Sequence, residues 1–156
     1  MSSVLEMRSR LQLTLEGIEP PVGRVHPYSR YTAETQQLKS LFQDADGAFR
    51  GWTITCEASP ESAETNSQTE RGYRWVIRGY LGWQDSLESE VTFQQLAESV
   101  CDALRADIDL GGLSARDCDP PAVRLFDPRM FAGVLCHYCE IVITSWATKE
   151  VGRASG

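Results

Sequence analysis

Residues 132 to 146 read AGVLCHYCEIVITSW, a run that is apolar in both of its alternating halves. In extended backbone successive side chains point to opposite sides. Leu135, His137, Cys139, Ile141 and Ile143 therefore form one face, and Val134, Cys136, Tyr138 and Val142 the other, interrupted only by Glu140. Such a strand cannot keep one side in water, so any fold must cover it twice. The segment YRWVIRGYLGW behaves alike, with Tyr73, Trp75, Ile77 and Leu81 on one side and Arg74, Val76, Arg78 and Tyr80 on the other. Either the helices divide between the two sides of the sheet, or a neighbouring copy of the chain covers one of them. The second arrangement is the expectation, because three helices can cover one face of a small sheet and because arginine and tyrosine are enriched where subunits meet. Arg71, Arg74, Arg78, Tyr80 and Tyr138 are thus the candidate subunit or partner interface.

The remaining segments supply the other layers. Val4, Met7, Leu11 and Leu15 follow a helical period that stops at Gly17, Pro20 and Pro21. Pro27 breaks regular structure in GRVHPYSRY, and Thr32 can cap a second helix whose Leu38, Leu41 and Phe42 share a side. GWTITCEA alternates as a half-buried strand. Between this strand and YRWVIRGYLGW, residues 58–72 have no apolar period and predict an exposed hairpin loop. DSLESEVTFQQLAESVCDALRAD carries the stripe Phe93, Leu96, Val100 and Leu104, with serines and acids before Val91 as N-caps and LGG beyond its end. AVRLF is a strand, the last strand runs from about Ala132 to Trp146, and residues 147–156 form a flexible tail. The expected fold is α+β in one domain spanning 1–156: a mainly antiparallel four-stranded sheet with helices packed on it, in the order α-α-β-β-α-β-β.

Charge excludes some functions. A formal net charge of −7 and a pI near 4.8 leave no electropositive footprint for tight nucleic-acid binding. The charged N-terminal helix is unlike a signal peptide and no apolar run approaches a membrane span, so the expectation is a cytosolic chain that makes no membrane contact. Five cysteines in such a chain argue against a disulfide framework.

The C-x-x-C of LCHYC needs a decision. Cys136 and Cys139 stand three apart, so on a strand they diverge, and neither His137 nor Tyr138 is a residue that would bend the chain into a zinc knuckle. A redox pair of the thioredoxin type starts a helix, whereas these flanks are strand-like. The thiols read as buried small apolar groups, with no metal and no cofactor implied. His137 reads as a hydrogen-bonded core histidine and His26 as a loop residue with no nucleophile motif nearby. Asp85 with Glu88, and Asp107 with Asp109, read as solvated acids at helix ends. No catalytic residue is assigned; a small enzyme or ligand-binding domain using His26, His137 or a cysteine is the alternative class.

The succession GRVHPYSRY, RGWTI, RWVIRGYLGWQDSLESEVTFQQLAESVCDAL, LGG and MFAGVLCHYCEIVIT resembles the tail terminator or tail completion proteins of long-tailed bacteriophages and Mu-like prophages. The likeness runs from Gly23 to Trp146, and its most specific parts are Tyr80, Asp85, Ser89, Glu90 and Phe93 together with the closing AGVLCH. The resemblance implies a small α+β structural protein of the virion tail and neck, assembled in the host cytoplasm. It implies a homo-oligomer, a hexameric ring, capping the head-proximal end of the tail tube. The partners it implies are the tail tube protein and the head-tail connector proteins. DNA would pass through such a ring without specific binding, and the loop from Ser59 to Gly72 could order against the tube or neck. Another neck or head-tail joining subunit is the nearest alternative.

Overall fold

The computed structural model describes residues 4–30, 32–44, 46–58, 61–63 and 68–150. Their elements in chain order are α1 (Val4–Glu16), β1 (Arg24–His26), α2 (Thr35–Leu41), β2 (Arg50–Ala58), β3 (Glu61–Ala63), β4 (Gln68–Gly82), a short 3-10 turn (Asp85–Leu87), α3 (Ser89–Ala106), β5 (Ala122–Phe131) and β6 (Val134–Glu150). The fold is α+β. Five strands lie in the order β1-β2-β4-β6-β5, and the short β3 pairs with β4 off that path. β1 runs parallel to β2 and every other pairing is antiparallel. Among the described residues no helix is long and apolar enough to cross a membrane.

One face of the sheet carries α1 and α3. Met7, Leu11 and Leu15 recur every four residues and are fully buried, as the inward stripe of a helix must be. Phe93, Leu96, Ala97, Val100, Cys101 and Leu104 do the same for α3. They meet Trp52, Ile54, Trp75, Ile77, Cys139, Ile141 and Ile143 from the strands. Each large side chain so buried contributes about 2 kcal/mol through the apolar area it removes from water. The fit is close enough to require glycine at position 79, where a Cβ would collide with the Trp52 indole.

The opposite face has its own smaller core. Leu38 and Phe42 of α2 pack with Phe49, Tyr80, Cys136 and Tyr138. Phe131 of β5 joins them, its ring 5.0 Å from Phe42 and nearly perpendicular to it, an edge-to-face geometry that aromatic pairs favour. Cys136 thus belongs to one core and Cys139 to the other, as alternation along β6 requires.

Several expectations need correcting. The sheet has more than four strands and the order is α-β-α-β-β-α-β-β, because Arg24–His26 adds β1 alongside β2. Its three residues, cut off by Pro27, are too few to show alternation, yet Val25 and His26 are buried by the pairing. The helices divide between both faces, so a second copy is not needed to cover the aromatic end of the sheet. Residues 58–72 are not all loop: Glu61–Ala63 pairs with Thr69–Arg71, extending the β2–β4 hairpin. Residues 147–150 lie in β6, while 151–156 fall outside the described residues. Ala132 and Gly133, read as the start of the last strand, form the turn between β5 and β6 with φ of 52° and 73°. Two residues at positive φ make the turn whose twist suits a tight hairpin.

Candidate functional site

The five predicted interface residues do not share one surface. Tyr80 and Tyr138 are interior, 7% and 1% exposed. The Tyr80 ring stacks on Phe131 at 4.3 Å, and Arg129 lies 3.9 Å above Tyr138 from the outside. Burial pushes the Tyr80 hydroxyl up to about 12. Both rings sit beneath α2 and β5 and are unavailable to a partner, because the sheet face at that end is already filled by the chain's own aromatic residues. Arg78 and Arg71 are half-buried and Arg74 is exposed.

The structure does join Arg78 and Tyr138 through a residue the interface prediction left out, Glu140. Its carboxylate accepts the Tyr138 hydroxyl at 2.5 Å and two nitrogens of Arg124 at 2.6 and 2.9 Å, with Arg78 Nε at 3.8 Å. Arg124 also donates to Glu57 at 3.2 Å and Arg78 to Thr55 Oγ1 at 2.6 Å. The hydroxyl of Tyr138, and after it Arg124, holds Glu140 below the usual carboxylate range. Arg124 reaches this position because the β5–β6 register shifts between Val123 and Leu125, a bulge that turns the extra side chain back over the sheet. The half of this face beyond the aromatic core is therefore a closed ion-pair lattice across β2, β4, β5 and β6.

The histidines and thiols have structural partners. His26 Nε2 donates to the Leu41 carbonyl at 2.7 Å and its Nδ1 faces Arg30 at 3.4 Å. His137 is stacked between Trp83, 4.0 Å away, and Phe93, and its Nε2 pairs with the Ser89 hydroxyl at 2.7 Å. Ser89 also accepts the Gln84 N–H at 2.9 Å, so it ties the entry of α3 to β6 instead of capping the helix. Burial lowers the pKa of both histidines. Burial likewise pushes the Cys118 thiol up to about 11 and those of Cys136 and Cys139 up to about 12, which keeps them protonated and poorly nucleophilic at neutral pH. Among the described residues no cluster of histidine, cysteine and carboxylate side chains could hold a metal ion. Asp107 is not merely solvated: it takes a two-point ion pair from Arg10 at 2.8 and 2.9 Å and binds α1 to the end of α3.

A concave surface of another kind lies elsewhere. α1 rests mainly on β1 and β2 and α3 mainly on β4 and β6, and α3 meets β5 through the Phe93–Phe126 ring contact at 5.1 Å. A groove of about 610 Å³ lies between α3 and β5. Val123 and Phe126 form its floor, 47% and 40% exposed, and Glu90, Glu98, Cys101, Asp102 and Arg105 form its helical wall. Met130 and Leu135, 63% and 46% exposed, extend the apolar stripe past its end. Sequence reasoning missed this surface because the bulge at Arg124 breaks the alternation of β5. The available signal was that β5 carries large apolar side chains in both registers, Phe126 and Met130 as well as Val123, Leu125 and Phe131.

No protein-family model matches the chain, and no curated protein matches it.

Proposed function

We propose that this chain is a structural assembly subunit, a tail terminator of a long-tailed phage. In this reading copies close into a ring on the head-proximal end of the tail tube, stop its growth and present a surface for head joining. The observation that carries the proposal is the exposed apolar stripe of Val123, Phe126 and Met130 on the edge strand β5, joined by Leu135 of the adjacent β6. Contiguous apolar surface of this kind marks a contact site more often than a solvated face. An edge strand left open also has to be managed against indiscriminate pairing, and assembly is one way to manage it.

Two further features support the same reading. The side chains with reactive chemistry, His26, His137 and the buried thiols, are occupied in packing and hydrogen bonding. The charge of −7 lets DNA pass a ring without adhering to it. Electron microscopy of particles lacking the protein tests the proposal: overlong tails or unjoined heads are expected. Normal tails joined to heads would overturn it, and heads left off tails of normal length would favour a head-tail joining subunit.

A further inference from the structure

We infer that the groove between α3 and β5 receives the opposite edge of the sheet from a second copy, the β1 end bearing Arg24, Tyr28 and Arg30. The inference rests on the assembly reading above and names its contact. Charge is segregated along the chain. Residues 85 to 119 hold nine acids and two arginines, whereas residues 21 to 43 hold Arg24, Arg30 and Lys39 against the single acid Glu34. In the groove Asp102 already holds Arg105 at 3.0 Å, which leaves Glu90 and Glu98, both exposed, for an incoming cation. At the β1 edge Arg24 is exposed, Tyr28 is 52% exposed, and the Arg30 guanidinium lies 5.4 Å from the Tyr28 ring. Arginine and tyrosine beside each other are the side chains that carry binding energy at protein contacts. Tyr28 has an apolar floor to meet in Val123 and Phe126.

Geometry decides the kind of contact. β1 and β5 are the two ends of the sheet, so the surfaces lie at opposite edges of one subunit. Groove against groove would set Glu90 and Glu98 against their own copies, and like charges brought together oppose association. Groove against β1 edge is attractive and joins unlike surfaces, and contacts of that type propagate from copy to copy until they close.

The test is native mass by light scattering for the wild type, for a groove variant (Glu90→Arg with Glu98→Arg) and for an edge variant that is left neutral, so that it does not attract the reversed groove (Arg24→Ala with Tyr28→Ala). The changed side chains are exposed in the subunit, and circular dichroism checks that each variant folds. The wild type is expected as a multi-copy species and each variant alone as a single copy. A mixture of the two variants should stop at two copies, because one intact groove then meets one intact edge. Wild-type assembly that survives both sets of substitutions would overturn this contact while leaving the assembly reading standing. So would variants that fall to single copies but form no pair when mixed. A wild type that stays single even when tail tubes are supplied would overturn the assembly reading and this contact with it.

Discussion

Glu140 gathers the hydroxyl of Tyr138 and the guanidinium of Arg124 on one carboxylate whose side chain is only 12% exposed. Glu140→Gln keeps the shape but loses the charge in these bonds, and hydrogen bonds to charged groups are worth about 1.5–3 kcal/mol. Urea denaturation should therefore show a loss of about 2 kcal/mol, with a smaller loss for Arg124→Ala, whose side chain is 41% exposed. Ser89→Ala would leave both the Gln84 N–H and the His137 ring without their partner, at a cost of about 1–2 kcal/mol by the same measurement. Acid adds a second test. The histidines have folded values lowered from 6.5, so their contribution is whole above that pH and is lost as pH falls from it toward the folded values. Glu140 and Asp107 are lowered from 4.5 and 3.8, so theirs is whole above those values and is lost as pH falls through the depressed ones. Stability against pH should decline in two stages on the acid side, and His137→Asn should flatten the first.

At the scale of elements, the hairpin joining β5 to β6 invites a stabilising change. Ala132 sits at φ 52°, where an L side chain costs about 1–2 kcal/mol. Asparagine before glycine is the preferred pair for this turn. Ala132→Asn should raise the melting temperature by a few degrees in calorimetry, roughly what 0.5–1 kcal/mol produces in a domain of this size. Gly79→Ala acts in the other direction: with the Trp52 ring against the backbone, overpacking of about 1–3 kcal/mol is expected, read as a lower denaturation midpoint. The long elements were legible because their periods are long. α1, α3, β2, β4 and β6 each repeat their pattern over enough residues for the apolar face to be unambiguous. β1 has three residues and one alternation, so only its pairing with β2 reveals it. α2 was legible as a helix, but not the side it covers, since Leu38 and Phe42 fit either face of the sheet equally well on paper. Its start was misread too: Thr32 donates to the Glu34 carbonyl, and Glu34 stands at the cap position without a side-chain cap bond. The candidate surface was the least legible, because it depends on which strand stands at the edge of the sheet, a property of strand order and not of any one segment.

For the whole molecule, the division of helices between faces changes what can hold copies together. The aromatic side chains that invited a subunit contact are spent on an internal core, and the β5 edge carries an accessible apolar surface in their place. Contacts made there by Glu90 and Glu98 would be weakened by salt, since the screening length shrinks to about 3 Å at 1 M. Sedimentation of the assembled protein should then shift toward single copies as salt rises, while a purely apolar contact would be strengthened or unmoved. The two cores also differ in size, and each contains a thiol of its own on the same strand: Cys136 under α2 and Cys139 under α3. A thiol reagent cannot reach either until the layer above it lifts. In variants keeping only Cys136 or only Cys139 of the five cysteines, labelling rates become separate clocks for the two sides of β6. The seven-residue α2 has the weaker hold, so Cys136 should be modified first, and the interval between the two would measure how independently the halves of this protein breathe.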